Sequence, residues 1–335
     1  MAQEIHDENS DESASRNGIL KNGVALGIIA AIAYSLANLA LRHLSDSTST
    51  GGRGWDLWVT AMKTVPTGAV AWILVLKRLI QKQPAFPPLR LLPILLVAAL
   101  VMQFGGNLCF QISLSYLGLG ITVPLVFASI LCVGAVMGRV FLGDPLTLPV
   151  VTAMGIMIVA IVLLSVGTMP DSTTSAVPVE SGQILIGICI AAISGCSYGA
   201  VGVLIRKLVR TVLTVESMLI VFSTAGGILL AAAAIKISGW QLIRESSVQA
   251  WPMLLAAGTT NAIAFFAVAH ALRVMDVNRM NVINASQNAM CAVGAIVLFQ
   301  EQLSALAIFG IALTIAGLIT LGWKRNRPVK ATVGD

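Results

Sequence analysis

The chain has 335 residues, of which 57% are hydrophobic and only 11% charged, and its mean hydropathy is +0.88. A water-soluble fold cannot hide that much apolar surface, so a soluble domain is excluded. The formal charge of +6 is spread over the ends of apolar segments and forms no single patch or stripe, which excludes nucleic acid as a partner and makes the basic residues topology signals.

Residues 1–20 carry Glu4, Asp7, Glu8, Asp11 and Glu12 among few apolar residues. Burial there cannot offset the entropy of ordering, and a disordered cytoplasmic tail is expected. The first apolar stretch follows an acidic segment instead of a basic one, so it reads as a permanent span and not as a cleavable signal. Ten stretches approach the roughly 20 apolar residues needed to cross about 30 Å of hydrocarbon. They lie near 24–42, 57–77, 91–112, 121–142, 146–167, 183–205, 215–236, 251–272, 280–299 and 303–323. Between them remain a Ser/Thr/Gly-rich loop at 45–54, a Pro-rich turn at 83–88, a Ser/Thr/Pro connector at 168–181 and a basic C-terminus at 324–335. Cys109, Cys132, Cys189, Cys196 and Cys291 all fall inside spans, at spacings of neither a zinc site nor a disulfide framework. They are expected to be free packing thiols.

With the N-terminus placed in the cytoplasm, 16 Lys and Arg residues fall on the cytoplasmic side and 5 on the other. That asymmetry predicts both termini inside and an even number of spans. Trp55, Trp58, Trp240 and Trp251 flank predicted outer ends, and Trp323 an inner one, as interfacial anchors.

One pattern occurs twice: an apolar segment, a short acidic turn, then another apolar segment. The turns read Gly143-Asp144-Pro145-Leu146-Thr147 and Gln300-Glu301-Gln302-Leu303-Ser304. The register is nearly constant, since Ala30-Ala31-Ile32 pairs with Ala191-Ala192-Ile193 at an offset of 161 and Asp144 pairs with Glu301 at 157. Five is odd, so two five-helix units lie in the bilayer with opposite orientation, which is one way to build an alternating-access site. The predicted fold is an all-α polytopic membrane protein with ten transmembrane helices in two inverted five-helix repeats. The first repeat spans 21–167, the second 182–323, and the connector at 168–181 divides them.

The blocks Leu114 to Val166 and Leu272 to Leu321, each with its small-residue acidic turn and Gly-punctuated last span, resemble the drug/metabolite transporter superfamily, in particular its ten-helix EamA-type members. The resemblance covers roughly residues 23–323. It implies a carrier or facilitator of small organic solutes, with a central cavity lined mainly by helices 1, 3, 4, 6, 8 and 9 and with helices 5 and 10 at the periphery. Small four-helix relatives use a carboxylate in the first helix for proton exchange, whereas this first helix offers Tyr34, Ser35 and Asn38. Carboxylate-driven antiport is therefore disfavoured, with Glu216 at the start of the seventh span as the exception to test.

Polar side chains within spans are costly against lipid and are expected to face the interior. In the third span Gln103, Asn107 and Gln111 recur at i, i+4, i+8 on one helical face, and the repeat offset sets Asn261 opposite Gln103. In the ninth span Asn281, Asn284 and Asn288 recur at i, i+3, i+7, with Gln287 beside them. Amides both donate and accept, so these faces suit carboxylate, amine or hydroxyl groups; the structural alternative is that they only bridge helices. Tyr34 and Asn38, and Ser194 and Tyr198, form further i, i+4 pairs. Lys63, inside the second span, either attracts anions in the cavity or snorkels to the outer interface. His270 reads more as a structural hydrogen-bonding group than as a proton carrier. Gly134 with Gly138, and Gly195 with Gly199, predict close helix approach, and Pro66 and Pro124 predict bends.

The expected function is transport, by efflux or exchange, of a small polar or amphipathic organic metabolite such as an amino acid or related compound. The expected partners are that solute and the lipid bilayer, with a homodimer as an option, and no cofactor or metal is called for. The expected location is a bacterial inner membrane. A non-transporting receptor or scaffold is the alternative, and an intramembrane enzyme is disfavoured by the lack of a Gly-x-Ser-x-Gly or His-Glu-x-x-His pattern.

Overall fold

The computed structural model describes residues 2–46, 52–167, 181–240, 250–299 and 304–322. These residues are helical with short turns. We number the helices α1 (Ala2–Asp46), α2 (Gly52–Ile80), α3 (Leu89–Leu117), α4 (Leu119–Leu142), α5 (Leu148–Gly167), α6 (Ser181–Thr211), α7 (Val215–Ser238), α8 (Ala250–Val274), α9 (Val277–Ala285 and Gln287–Phe299) and α10 (Ala305–Gly322). Among the described residues, seven helices are long and apolar enough to cross a membrane; α5 and α10 are shorter and equally apolar, and α9 is broken at Ser286.

The packing is inverted relative to a soluble protein. Ile73, Val97, Val136, Val140, Phe141, Ile228, Phe309 and Ile319 point outward, while Lys63, Gln103, Asn107 and Gln287 are buried. Hydrocarbon solvates the first group and cannot hydrogen-bond the second, which is why the sequence sorts them this way. Each helix of the first five packs on helices of the last five: α1 on α8, α2 on α7, α3 on α6 and α7, α4 on α6, and α5 on α10.

Glycine sets two of these approaches. A Cβ on Gly195 of α6 would lie 2.3 Å from the carbonyl oxygen of Val126, and one on Gly258 of α8 would lie 2.8 Å from Pro66. Only hydrogen fits at either contact. Gly143 ends α4 in the left-handed conformation, φ 67°, and leads into the Asp144 turn.

Helix α1 runs from Ala2. Two expectations change. Trp55 and Trp58 are buried instead of interfacial, with Trp55 Nε1 donating to the Leu44 carbonyl at 3.2 Å, because α2 starts earlier than expected and tucks this turn against α1. Trp240 and Trp251 are exposed, and Trp323 lies outside the described residues. Cys291 is buried, but Cys132, Cys189 and Cys196 face outward on lipid-sized surfaces instead of packing inside. The second acidic turn at Glu301, the connector at 168–180 and the C-terminus lie outside the described residues.

Candidate functional site

A cavity of about 120 Å³ opens between the two sets of five helices. Its wall includes Tyr34 and Asn38 of α1, Lys63, Thr64 and Thr67 of α2, Gln103 and Asn107 of α3, Tyr198 of α6, Asn261 of α8, and Asn281, Asn284 and Gln287 of α9. Phe110, Phe127, Ile130 and Phe265 supply apolar surface. Among the described residues, none of α5 or α10 forms part of this lining.

The first polar group sits on a local irregularity. Residues Val101–Leu108 of α3 form a π-helix, and Gln103 and Asn107, four residues apart, share one face of it. Asn107 Nδ2 donates to Gln103 Oε1 at 2.8 Å, and Gln103 Nε2 donates to the Phe222 carbonyl at 3.1 Å. Gly226 makes room for this insertion, since a Cβ there would lie 2.0 Å from the Gln103 side chain. Ser194 Oγ donates to the Gly106 carbonyl at 2.8 Å, satisfying a backbone group within the π segment.

Asn107 Oδ1 accepts twice. Lys63 Nζ donates to it at 2.6 Å and Tyr198 OH at 2.7 Å. Lys63 is 5% exposed, so of the two expectations for it the interfacial one is overturned: its ammonium ends in the cavity. The pull of a polar column only one helix away, in an otherwise apolar interior, explains why the stem does not snorkel outward.

A second group joins α1 to α9. Asn38 Nδ2 donates to Gln287 Oε1 at 3.3 Å, and Gln287 Nε2 donates to Asn284 Oδ1 at 2.6 Å. Asn281 Nδ2 reaches the Ile130 carbonyl at 3.5 Å. The break at Ser286, whose Oγ bonds the Ile283 carbonyl at 2.7 Å, tightens the helix so that 281, 284 and 287 align at steps of three. Asn288 is therefore displaced from the expected face: it is absent from the wall, and its Nδ2 bonds the Ala285 carbonyl at 2.7 Å.

Gln111 also leaves the expected set. It stands about 6 Å along the helix beyond Asn107, past the Phe110 that lines the cavity, and is a hydrogen-bond partner of Asp56. Thr64, Thr67 and Ser223 line the wall without having been expected, because the resemblance implied a lining without helices 2 and 7 and only Lys63 of α2 was considered for the cavity. The signal was present in part, since Thr67 follows Lys63 at i+4 on one face. His270 Nδ1 pairs with the Phe266 carbonyl at 2.8 Å within its own helix, in keeping with a structural role.

One end of the cavity carries a buried ionic cluster. Arg206, at the end of α6, pairs with Asp144 of the turn after α4 and with Asp276 before α9, the latter at 3.0 Å. Asp144 also accepts from the Val277 backbone N–H at 3.2 Å. Val277 and Met280 line the cavity, so the cluster lies directly beyond it. Glu216, the possible acid of the seventh span, instead faces Arg78 at 3.7 Å.

Residues 185–323 match the EamA-like transporter family. No curated protein matches the chain. Among solved structures, one described as "Crystal structure of protein" is similar with a TM-score of 0.69 at 19% identity, covering 90% of this chain and 96% of that one. At that identity the likeness concerns the fold alone, and it extends over both halves. Multiple apolar spans around a polar cavity and the match over 185–323 fit a membrane transporter of small solutes. The similarity of residues 185–323 to the EamA-like transporter family supports a place in the drug/metabolite transporter superfamily.

Proposed function

We propose that this protein moves a small polar or amphipathic organic metabolite, such as an amino acid or related compound, out of the cell through the central cavity by alternating access. The observation that carries this reading is the pair of amide groups, Gln103–Asn107 and Asn284–Gln287, facing one cavity from opposite sets of five helices. Amides supply donors and acceptors without fixing a charge, and the aromatic and aliphatic walls take the apolar part of the solute.

The helix pairing supports two inverted repeats, 21–167 and 182–323. Exchanging the first five helices for the last five turns the α1–α8 contact into α6–α3 and the α4–α6 contact into α9–α1, and both of these are made. The α2–α7 and α5–α10 contacts map onto themselves. A structure with that internal symmetry has two related openings of one site, which is what alternating access requires.

The Arg206 cluster gives the closed end a physical basis. By the distribution of Lys and Arg this end faces the cytoplasm, with both termini on the same side. Opening inward separates Arg206 from Asp144 or Asp276, and opening outward leaves them together.

The test is solute exchange in liposomes. Purified protein reconstituted with a labelled metabolite extract inside and unlabelled extract outside should exchange one chemical class faster than protein-free vesicles. Purified, folded protein that exchanges nothing would favour a receptor or scaffold.

A further inference from the structure

Lys63 is a buried cation facing a cavity in which, among the described residues, no carboxylate forms part of the wall. The acids at the two ends are engaged elsewhere. Asp56 is held by Ser115 at 3.2 Å and by Gln111, and Asp144 and Asp276 are held by Arg206. A buried charge without a counter-charge is unfavourable in an apolar interior, and the neutral oxygen of Asn107 only partly compensates it.

The surroundings of that ammonium are a set of donors. Lys63 gives one of its three N–H bonds to Asn107 and keeps two. Thr67, one turn away on the same face, lines the cavity 2% exposed, and its Oγ1 has no hydrogen-bond partner. Tyr198 OH, now given to Asn107 Oδ1, can rotate its proton to a ligand without moving the ring. An ammonium and a phenol hydroxyl that meet at Asn107 Oδ1, with the unpartnered Thr67 hydroxyl one turn along the same wall, suit two carboxylate oxygens through charge-assisted hydrogen bonds.

Beyond this group the wall mixes the neutral amides of Asn261, Asn284 and Gln287 with the apolar faces of Phe110, Phe127 and Phe265. With one positive charge and no acid, the cavity is neutral only when the occupant carries a single negative charge. A zwitterion would add an ammonium that neutral amide oxygens can accept from but that, among the described residues, no wall carboxylate balances.

We infer that the transported solute is a monocarboxylate anion with an apolar body, its carboxylate held by Lys63 and Thr67. This inference rests on the transport reading above and narrows it. It ranks an anion above the amino acid of the same shape.

Three probes share one aromatic body and differ in charge: phenylpyruvate is a monoanion, phenylalanine a zwitterion and phenethylamine a cation. Binding of each to the purified full chain is measured by ligand-induced thermal stabilisation and by titration calorimetry. Phenylpyruvate should bind roughly tenfold tighter than phenylalanine, a difference of about 1.4 kcal/mol, and phenethylamine least. Lys63→Met should abolish the preference, Lys63→Arg should keep it, and Thr67→Val, which is nearly isosteric, should weaken only the anion by about threefold. Equal or tighter binding of the zwitterion or cation, or a preference unchanged in Lys63→Met, overturns the inference. Binding of none of the three overturns it too, while release of any other solute from cells making the protein leaves the transport reading standing.

Discussion

Lys63 Nζ stands 2.6 Å from Asn107 Oδ1, so a cation on α2 is held by an amide on the π-helical turn of α3. The same oxygen accepts from Tyr198 on α6. One amide therefore ties three helices at the cavity wall, two from the first five and one from the last five.

Replacing that amide should separate transport from folding. Asn107→Leu removes the shared acceptor and leaves the Lys63 ammonium facing the cavity, and Asn284→Leu removes the acceptor of Gln287, while each puts in a side chain of similar size. Single hydrogen bonds inside membranes contribute about 0.6 to 2 kcal/mol. Each variant should remain folded by size-exclusion chromatography, and solute flux in vesicles should fall by roughly tenfold or more. Wild-type flux in both variants would mean that the amides are structural bridges.

The Arg206 cluster predicts an ordered stability series. Asp144 is 2% exposed and buried against Arg206. Removing the guanidinium in Arg206→Met leaves that carboxylate uncompensated, a situation that costs about 3–5 kcal/mol. Asp276→Asn should cost far less, because Asp276 is partly exposed and Arg206 keeps Asp144. The double variant Arg206→Met, Asp144→Leu should recover most of the loss. Thermal unfolding of the purified variants in one detergent checks the order, and an Asp276→Asn variant as damaged as Arg206→Met would contradict it.

Glycine positions offer a contrast free of charge effects. Gly195→Ala drives a Cβ to within 2.3 Å of the Val126 carbonyl oxygen. Overpacking of this kind costs about 1–3 kcal/mol. Gly155→Ala on α5 meets nothing within 4 Å, and its helix should gain up to about 1 kcal/mol. The same unfolding assay should move the two midpoints in opposite directions.

How far the site could be read from sequence depends on the regularity of each helix. Gln103 and Asn107 were visible as a column because four-residue spacing keeps one face in α and π geometry alike. The column was overextended to Gln111, since spacing cannot tell where a cavity ends, and Phe110 marks that end. On α9 the period failed locally: the break at Ser286 replaced Asn288 with Gln287, and a Ser between Asn284 and Gln287 in an already polar run gives no warning of it. Lys63 was ambiguous because its depth allowed both outcomes; only the position of Asn107, 44 residues away, decided it. The Arg206–Asp144–Asp276 cluster was not foreseen either. Each member stands at a helix end, where charge is ordinary, and the three meet only after the helices pack.

The topology prediction is tested by reporters. Fusions active only in the cytoplasm, placed after Asp335 and within the 83–88 turn, should both be active, and a fusion within the 45–54 loop should be silent. The opposite pattern would turn the Arg206 cluster into an outer closure and reverse the direction of access.

The most direct measurement compares metabolites in the medium and cytosol of cells making the intact protein with those of cells making the Asn107→Leu, Asn284→Leu double variant at equal levels. One chemical class should leave the cells only with the intact protein, naming solute and direction together. Matching profiles, with the intact protein also inactive in vesicle exchange, would contradict a solute carrier built around this cavity.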